Sequence, residues 1–336
     1  MHSITIHLGG KYMVGEHKII IERRKLKYEI TIKHKLNIFN DASGTGKSLL
    51  ETMVYKHFLG ANDIKIKSDL KVRSARNEED LVNAIEKGYN LIIFDERPFK
   101  QVCGKNGRNI ARYIKDKPVY CIFITRDIGM TSLPVDIEAV YRLESCIESG
   151  REVVRNVRRY NWNKDDSVIP DVVFTEDKKL GYEFYSHTLK NSNVISLGGT
   201  GNITKLENFI RRQMPEGGTC FLIADGCAFG FLMPYFIREK EVYKTINGDL
   251  RLFLPPSFEY LILDCGIVPN VNKIILKNAY SYAKIEKYMS LESFYEDYLS
   301  SITGKRLRKN SVALKNFIFK PQCVAKLYEY IGEIKR

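Results

Sequence analysis

The residues best suited to chemistry form one short segment between an apolar run and a helical pattern. The run ends at Ile38 and Phe39, and Asn-Asp-Ala-Ser-Gly-Thr-Gly-Lys-Ser follows. Glycines let backbone N–H groups close around phosphate oxygens. A lysine then supplies charge at the β- and γ-phosphates, and the next hydroxyl binds Mg²⁺. The pattern predicts a phosphate-binding loop made of Ser43, Gly44, Thr45, Gly46, Lys47 and Ser48.

One position departs from the pattern G-x-x-x-x-G-K-[ST]. Asp41 stands where the first glycine belongs, and Asp tolerates left-handed backbone better than most residues. The alternative is a glycine-rich turn that happens to precede a helix. We expect Lys47 to be exposed, so that its replacement would affect ATP turnover far more than stability. Because of Asp41, ATP binding is better supported than hydrolysis.

A second motif lies downstream, where the apolar run Leu91–Phe94 ends in Asp95 and Glu96. Open α/β sheets bind ligands at the carboxyl ends of their strands. We expect Asp95 to hold Mg²⁺ with Ser48, and Glu96 to polarise the attacking water as the catalytic residue. A further buried strand ends at Thr125, and Arg126 would sense the γ-phosphate or be a surface arginine.

Composition describes an ordinary globular chain, with 44% hydrophobic and 28% charged residues. No apolar run is long enough to span a bilayer, and no secretion signal is visible at the first residues. The seven cysteines form no C-x-x-C pair. We therefore expect reduced thiols, a cytoplasmic location and no membrane.

The charge balance favours a polyanionic partner, since 53 basic residues face 40 acidic ones for a net charge of +13. Three basic clusters, Arg155–Arg159, Arg211-Arg212 and Lys305–Lys309, indicate nucleic acid, with DNA favoured. The alternative is that these charges only solvate the surface. A partner protein and further copies of the chain are the other partners considered.

A second series of strands carries carboxylates at its ends. Glu176 follows the run Val172–Thr175, Asp225 follows Cys220–Ala224, and Glu259 precedes another apolar run. Such oxygen ligands suit Mg²⁺ or Mn²⁺, which position phosphodiesters and activate water. The alternative is that these acids only cap helices. From residue 271 onward the pattern predicts helices rich in tyrosine and lysine, and the whole is predicted to be α/β.

Residues 1–145 resemble the additional-strand, catalytic-glutamate class of P-loop ATPases. The resemblance rests on the loop, on the intervening strand and helix, and on the adjacent acidic pair. The segment between the two motifs is too short for the helical subdomain of an ABC-type ATPase, and no L-S-G-G-Q-like signature is present. A compact P-loop NTPase domain over residues 1–150 is therefore expected, with ATP and Mg²⁺ as its cofactors.

Residues 168–268 resemble a TOPRIM domain, most closely that of the overcoming-lysogenization-defect nucleases. The likeness implies that Glu176 is catalytic and binds metal, and that Asp225 and Glu259 complete a Mg²⁺ or Mn²⁺ site. The usual D-x-D reads Asp225-Gly226-Cys227, so the second aspartate is missing, and Asp177 or Glu259 would have to compensate. The expected domains are 1–150, 168–270 and a helical region over 271–336.

Three functions follow from these patterns. The first is an ATPase coupled to a metal-dependent nuclease, for which the family likeness implies defence against phage or mobile elements. The second is an ATP-switched regulatory or scaffold protein with an inactive TOPRIM-like domain. The third is an enzyme acting on a small phosphorylated metabolite, which the net charge disfavours.

Overall fold

The computed structural model describes residues 13–42, 44–95, 108–126, 133–160, 169–199 and 217–331, together with residues 202, 206, 208 and 212. The fold is α/β, as predicted, with one nine-stranded sheet and one four-stranded sheet among these residues. None of the helices in this part of the chain is long and apolar enough to cross a lipid bilayer.

The nine-stranded sheet has the spatial order β4-β1-β2-β9-β8-β3-β7-β6-β5. Five consecutive strands at one end of this sheet, β8, β3, β7, β6 and β5, are mutually parallel, so their carboxyl ends meet at one edge. The strands are β1 (His17–Arg23), β2 (Leu26–Ile32), β3 (Leu36–Phe39), β4 (Ile64–Lys67), β5 (Val72–Ser74), β6 (Leu91–Phe94), β7 (Tyr120–Ile124), β8 (Val140–Glu148) and β9 (Arg151–Arg158).

The alternation of apolar and polar residues over 1–38 predicts a small antiparallel meander, and β1 pairs antiparallel with β2. The strands that follow β7 extend this sheet in a way that the sequence did not predict. β8 and β9 form an antiparallel hairpin, and β9 pairs in parallel with β2. The first sheet therefore continues to Arg158. Helix α1 (Lys47–Phe58) contacts strands from both ends of the sheet, β1 and β4 at one end and β5 at the other. Its buried face includes Leu50, Met53 and Val54.

The described residues of the first half also form two shorter helices, α2 (Glu78–Glu86) and α3 (Arg108–Ile114). Asn77 precedes a helical pattern and is predicted to cap it, and in the structure its side chain accepts a hydrogen bond from the Asp80 N–H at the start of α2. Three acidic residues in the first turn of α2 also suit the positive end of the helix dipole.

The second sheet is wholly parallel, in the order β11-β10-β12-β13. Its elements are β10 (Val172–Thr175), α4 (Leu180–Thr188), β11 (Asn193–Ser196), β12 (Thr219–Ile223), α5 (Met233–Lys244), β13 (Asp249–Phe253) and α6 (Phe258–Asp264). The sequence pattern predicts a helix over 229–239, but the helix begins at Met233, after two 3₁₀ turns. The pattern also predicts a helix over 203–214, of which residues 206, 208 and 212 are described as helical.

The remaining helices are α7 (Lys273–Lys277), α8 (Leu291–Ile302), α9 (Val312–Ile318) and α10 (Pro321–Ile331). Their buried residues Leu299, Leu314 and Leu327 share a core with Ile262 of α6. The same region also contacts the first sheet, since the Lys35 ammonium donates to the Ile285 carbonyl at 2.6 Å. Burial lowers the pKa of Lys35 to about 8.

Candidate functional site

The loop after β3 has the backbone that its glycines predict. Gly44 and Gly46 adopt φ of +88° and +85°, in the left-handed region, and α1 begins directly after Gly46. The buried Tyr28 hydroxyl donates to the Gly46 carbonyl at 2.8 Å. Tyr28 therefore holds the loop against β2, a contact that sequence analysis missed because the two residues are far apart in the chain.

Lys47 is buried, and the prediction that it is exposed is wrong. Its exposed fraction is 6%, and its ammonium donates to the carbonyls of Asp41 and Ala42 and to the Thr45 hydroxyl. Burial lowers the pKa of Lys47 below its usual value. The loop thus closes around this cation, which presents a positive charge at its centre.

Asp41 has a different role from the one its conformational freedom suggested. Its φ is not positive. Instead, its carboxylate accepts hydrogen bonds from the Ala42 N–H at 2.7 Å and from the Leu143 N–H of β8 at 3.3 Å. The carboxylate ties the loop to the neighbouring strand, so the residue type is explained by its hydrogen bonds.

Asn40 joins the loop to two strands and was not singled out from the sequence. This residue is 5% exposed. Its amide donates to the carbonyls of Thr125 and Arg126 at 2.9 and 3.1 Å, and its backbone N–H donates to Tyr141 of β8 at 2.9 Å. A buried amide with these partners sets the position at which the loop leaves the sheet.

Asp95 and Arg126 follow β6 and β7, so they lie at the same sheet edge as the loop. Both act on the Lys47 ammonium, since the Arg126 charge lowers its pKa and the Asp95 charge opposes that shift. Ser48 is exposed in the first turn of α1. Glu96 and Ser43 lie outside the described residues, so nothing is shown of their positions.

We predict that Gly46→Ala destabilises the fold more than Gly44→Ala. An added Cβ at Gly46 would lie 2.8 Å from the Tyr28 hydroxyl, whereas one at Gly44 meets nothing within 4 Å. Both changes carry the left-handed penalty of roughly 1–2 kcal/mol, so Gly44→Ala is the matched control. Urea unfolding measures the difference, and the additional Tyr28→Phe change should reduce it. Equal decreases in the free energy of unfolding for the two alanine variants would contradict a close contact between the added Cβ and the Tyr28 hydroxyl.

The acids of the second half converge on one cleft of about 280 Å³. β10 and β12 are adjacent and parallel, which places Glu176 and Asp225 side by side. The Asp225 N–H donates to the Glu176 carboxylate at 3.3 Å. Glu259 of α6 and Glu292 of α8 line the same cleft. The three predicted metal ligands therefore share one cavity.

This cleft concentrates negative charge in a buried setting. Burial raises the pKa of Asp225 well above its usual value, and the charges of Glu176, Glu292 and Glu259 add to the effect. Glu259 is 3% exposed, and burial raises its pKa to about 7. The repulsion between these carboxylates decreases when a cation binds in the cleft.

Lys309 places one positive charge beside these carboxylates. Its ammonium forms ion pairs with Glu292, at 2.6 Å, and with Glu296. Leu307, within the same basic segment, is buried. The cluster Lys305–Lys309 was assigned to nucleic acid, yet Lys309 faces the chain's own carboxylates and Leu307 packs in the core, leaving Lys305, Arg306 and Arg308 exposed.

Asp177 and Glu259, the two carboxylates that could replace the missing aspartate, make different contacts. The Asp177 carboxylate accepts from the backbone N–H groups of Lys179 and Gly181, at 2.9 and 2.8 Å, and so orders the start of α4. Both residues line the cleft, but the two Asp177 oxygens are already engaged by these backbone N–H groups. Cys227 is buried and lines a separate small cavity beside Asp136. Glu259 is thus the better placed of the two carboxylates.

Carboxylate oxygens are the donors that Mg²⁺ and Mn²⁺ prefer, so the chemistry of the cleft fits such an ion. Within the described residues, however, no group of three or more His, Cys, Asp and Glu side chains is placed to hold one metal ion. Mg²⁺ usually keeps several water ligands. The arrangement therefore suits a cation held by one or two carboxylates plus water.

We predict that Glu259→Gln gains stability relative to the metal-free wild type as pH rises. The raised pKa means that the folded protein holds this proton more tightly than the unfolded chain does, so wild-type stability falls between about pH 4.5 and 7. Lys309, Glu292 and Glu296 are the other charges acting on this group. Relative to the wild type, the free energy of unfolding of Glu259→Gln should increase by about 3 kcal/mol above pH 7. Urea unfolding across pH tests it, with the exposed Glu241→Gln as control, and a constant difference would contradict it.

Much of the first basic cluster is paired within the chain. The Arg155 guanidinium forms ion pairs with Glu29 and Glu148, and Arg158 pairs with Glu138. Arg159 donates instead to the carbonyl of Asn40. Exposed pairs of this kind contribute little to stability, but they reduce the positive charge that this strand offers to a polyanion.

Comparison with protein-family models, with curated proteins and with solved structures gives no match.

Proposed function

We propose that the chain is a P-loop ATPase of the additional-strand, catalytic-glutamate class joined to a TOPRIM-like domain that acts on nucleic acid with Mg²⁺ or Mn²⁺. The proposal of an ATPase domain is supported by the strand order β8-β3-β7-β6-β5. It puts one additional strand, β7, between the strand that precedes the loop and the strand that precedes Asp95.

In the first site, Lys47 and the loop N–H groups would hold the ATP phosphates, and Ser48 and Asp95 would hold Mg²⁺. Bound Mg²⁺ neutralises charge on the phosphates. Arg126 brings a second positive charge to the same edge. Glu96 would orient water, and burial of Lys47 keeps its charge directed into the loop.

In the second site, one or two of the carboxylates Glu176, Asp225 and Glu259 would hold the divalent cation together with water, and the cation would activate water and position a phosphodiester. Lys178, Lys179 and Lys309 also line the cleft. A polyanion would meet these cations before it reaches the carboxylates. Nucleic acid, with DNA favoured, is therefore the proposed partner, and defence against phage or mobile elements the proposed role.

One observation favours the second candidate, an ATP-switched scaffold whose cleft is inactive. Lys309 already pairs with two carboxylates of α8 beside the cleft, and a resident cation reduces the need for a metal. The test is cleavage of supercoiled plasmid with Mg²⁺ or Mn²⁺, with and without ATP, alongside calorimetric titration of ATP. Metal-dependent cutting supports the nuclease. ATP binding without cutting under any condition favours the scaffold.

A further inference from the structure

Arg159 lies where the first sheet passes into the second. It follows the last residue of β9, and its backbone N–H donates to the Val140 carbonyl of β8 at 2.8 Å. Its guanidinium donates to the Asn40 carbonyl, at the base of the phosphate-binding loop. Arg159 therefore contacts the loop directly, unlike Arg155 and Arg158, whose ion pairs lie on the exposed strand surface.

The next residue joins the two halves of the molecule. Tyr160 is half-buried and packs against the core of the nine-stranded sheet and against the core beneath β10 and β12. The Arg159 guanidinium also lies over the Tyr160 ring, 5.7 Å from its centre. A displacement of Asn40 would therefore reach the second core through two consecutive residues.

A second contact joins the segment before β8 to the turns that follow Asp225. The Gly230 N–H donates to the Val135 carbonyl at 2.7 Å, just before β8. An added Cβ at Gly230 would lie 2.8 Å from that carbonyl oxygen, so the backbones touch. Gly230 belongs to the turns that follow Asp225. The two halves are thus packed closely enough for a small shift to be transmitted.

We propose that Arg159 is a positioning residue that couples occupancy of the phosphate-binding loop to the arrangement of the second sheet. The inference rests on the proposed nucleotide site. An anion in the loop competes for the guanidinium, because a charged phosphate is a stronger acceptor than the Asn40 carbonyl. Release of that carbonyl lets Arg159 move and takes Tyr160 with it.

The chain offers a built-in reporter, since its one tryptophan is Trp162, three residues beyond Arg159. Addition of Mg²⁺-ATP to the full chain should change Trp162 fluorescence, while calorimetry measures nucleotide binding independently. In Arg159→Gln, nucleotide should still bind within about tenfold of wild type, because the wild-type guanidinium gives up its hydrogen bond to Asn40 when it meets the anion and the net gain is about that of one ordinary hydrogen bond. The fluorescence change at saturation should nevertheless fall at least threefold. Arg158→Gln, which loses only the pair with Glu138, should behave as wild type.

Arg159→Lys serves as the second variant, because it keeps the charge and should retain part of the signal. A full fluorescence change in saturated Arg159→Gln overturns the coupling, as does an unchanged wild-type signal at saturation. Loss of nucleotide binding in both Arg159 variants also overturns it, since Arg159 would then be a binding residue. Absence of nucleotide binding in the wild type is a separate result, which rejects the proposed ATP site itself and the coupling with it.

Discussion

Replacement of Lys47 by Ala is expected to lower ATP affinity by about 10- to 100-fold and to remove turnover. A hydrogen bond from a charged group contributes about 1.5–3 kcal/mol, and each 1.4 kcal/mol is a factor of ten. The ammonium is held at the centre of the loop by three loop oxygens, so no neighbouring side chain can take its place without rebuilding the loop.

The same change should also cost stability, because Lys47 is 6% exposed and its loss leaves the Asp41 and Ala42 carbonyls without this donor. We expect a decrease of about 1–3 kcal/mol in the free energy of unfolding. Calorimetric ATP titration and urea unfolding measure the two effects. Lys56→Ala, an exposed lysine in the last turn of the same helix, is the control for charge. Wild-type ATP affinity in Lys47→Ala would reject the loop as the nucleotide site.

Local signals allowed much of the fold to be predicted. Helix α1 ends at Phe58 before Gly60, whose φ is +93°, and Asn77 caps α2. These features depend on a few consecutive residues and on the backbone freedom of glycine. The two acid-ending strands β10 and β12 were located for the same reason, because a short apolar run before a carboxylate is a local pattern.

Pairings between distant residues were missed. The basic cluster Arg155–Arg159 indicates a nucleic-acid contact, but Arg155 of β9 pairs with Glu29, which is 126 positions away in the chain. Tyr28 with Gly46 and Arg159 with Asn40 are further examples. Sequence patterns report burial along one element, and they contain no information on which partner neutralises a given charge.

The delayed start of α5 has a similar cause. The apolar run from Phe229 fits a helix by periodicity, yet Gly230 must approach the Val135 carbonyl and the segment forms 3₁₀ turns instead. Tertiary contact here overrides the local preference. The same packing draws Cys227 away from the cleft, which is why its residue type tells little about metal binding at Asp225.

The second large effect is expected at the carboxylate cleft, where Glu176→Gln should reduce Mn²⁺-dependent plasmid cleavage by at least about 100-fold. The change removes one charge and keeps the shape of the side chain. Glu176 is the residue that accepts the Asp225 N–H, and a neutral amide still has an oxygen for that hydrogen bond. Loss of cleavage would therefore report loss of metal binding or proton transfer, not collapse of the strand ends.

Glu183→Gln provides the matched control, since Glu183 lies on the adjacent helix α4 and pairs with Lys315 away from the cleft. It should cut as the wild type does, and thermal melting should show both variants folded. Wild-type cutting by Glu176→Gln would remove the cleft from the nuclease mechanism. Because the proposed ATP site lies on the other sheet, Glu176→Gln should bind ATP as the wild type does, and this result would separate the two sites experimentally.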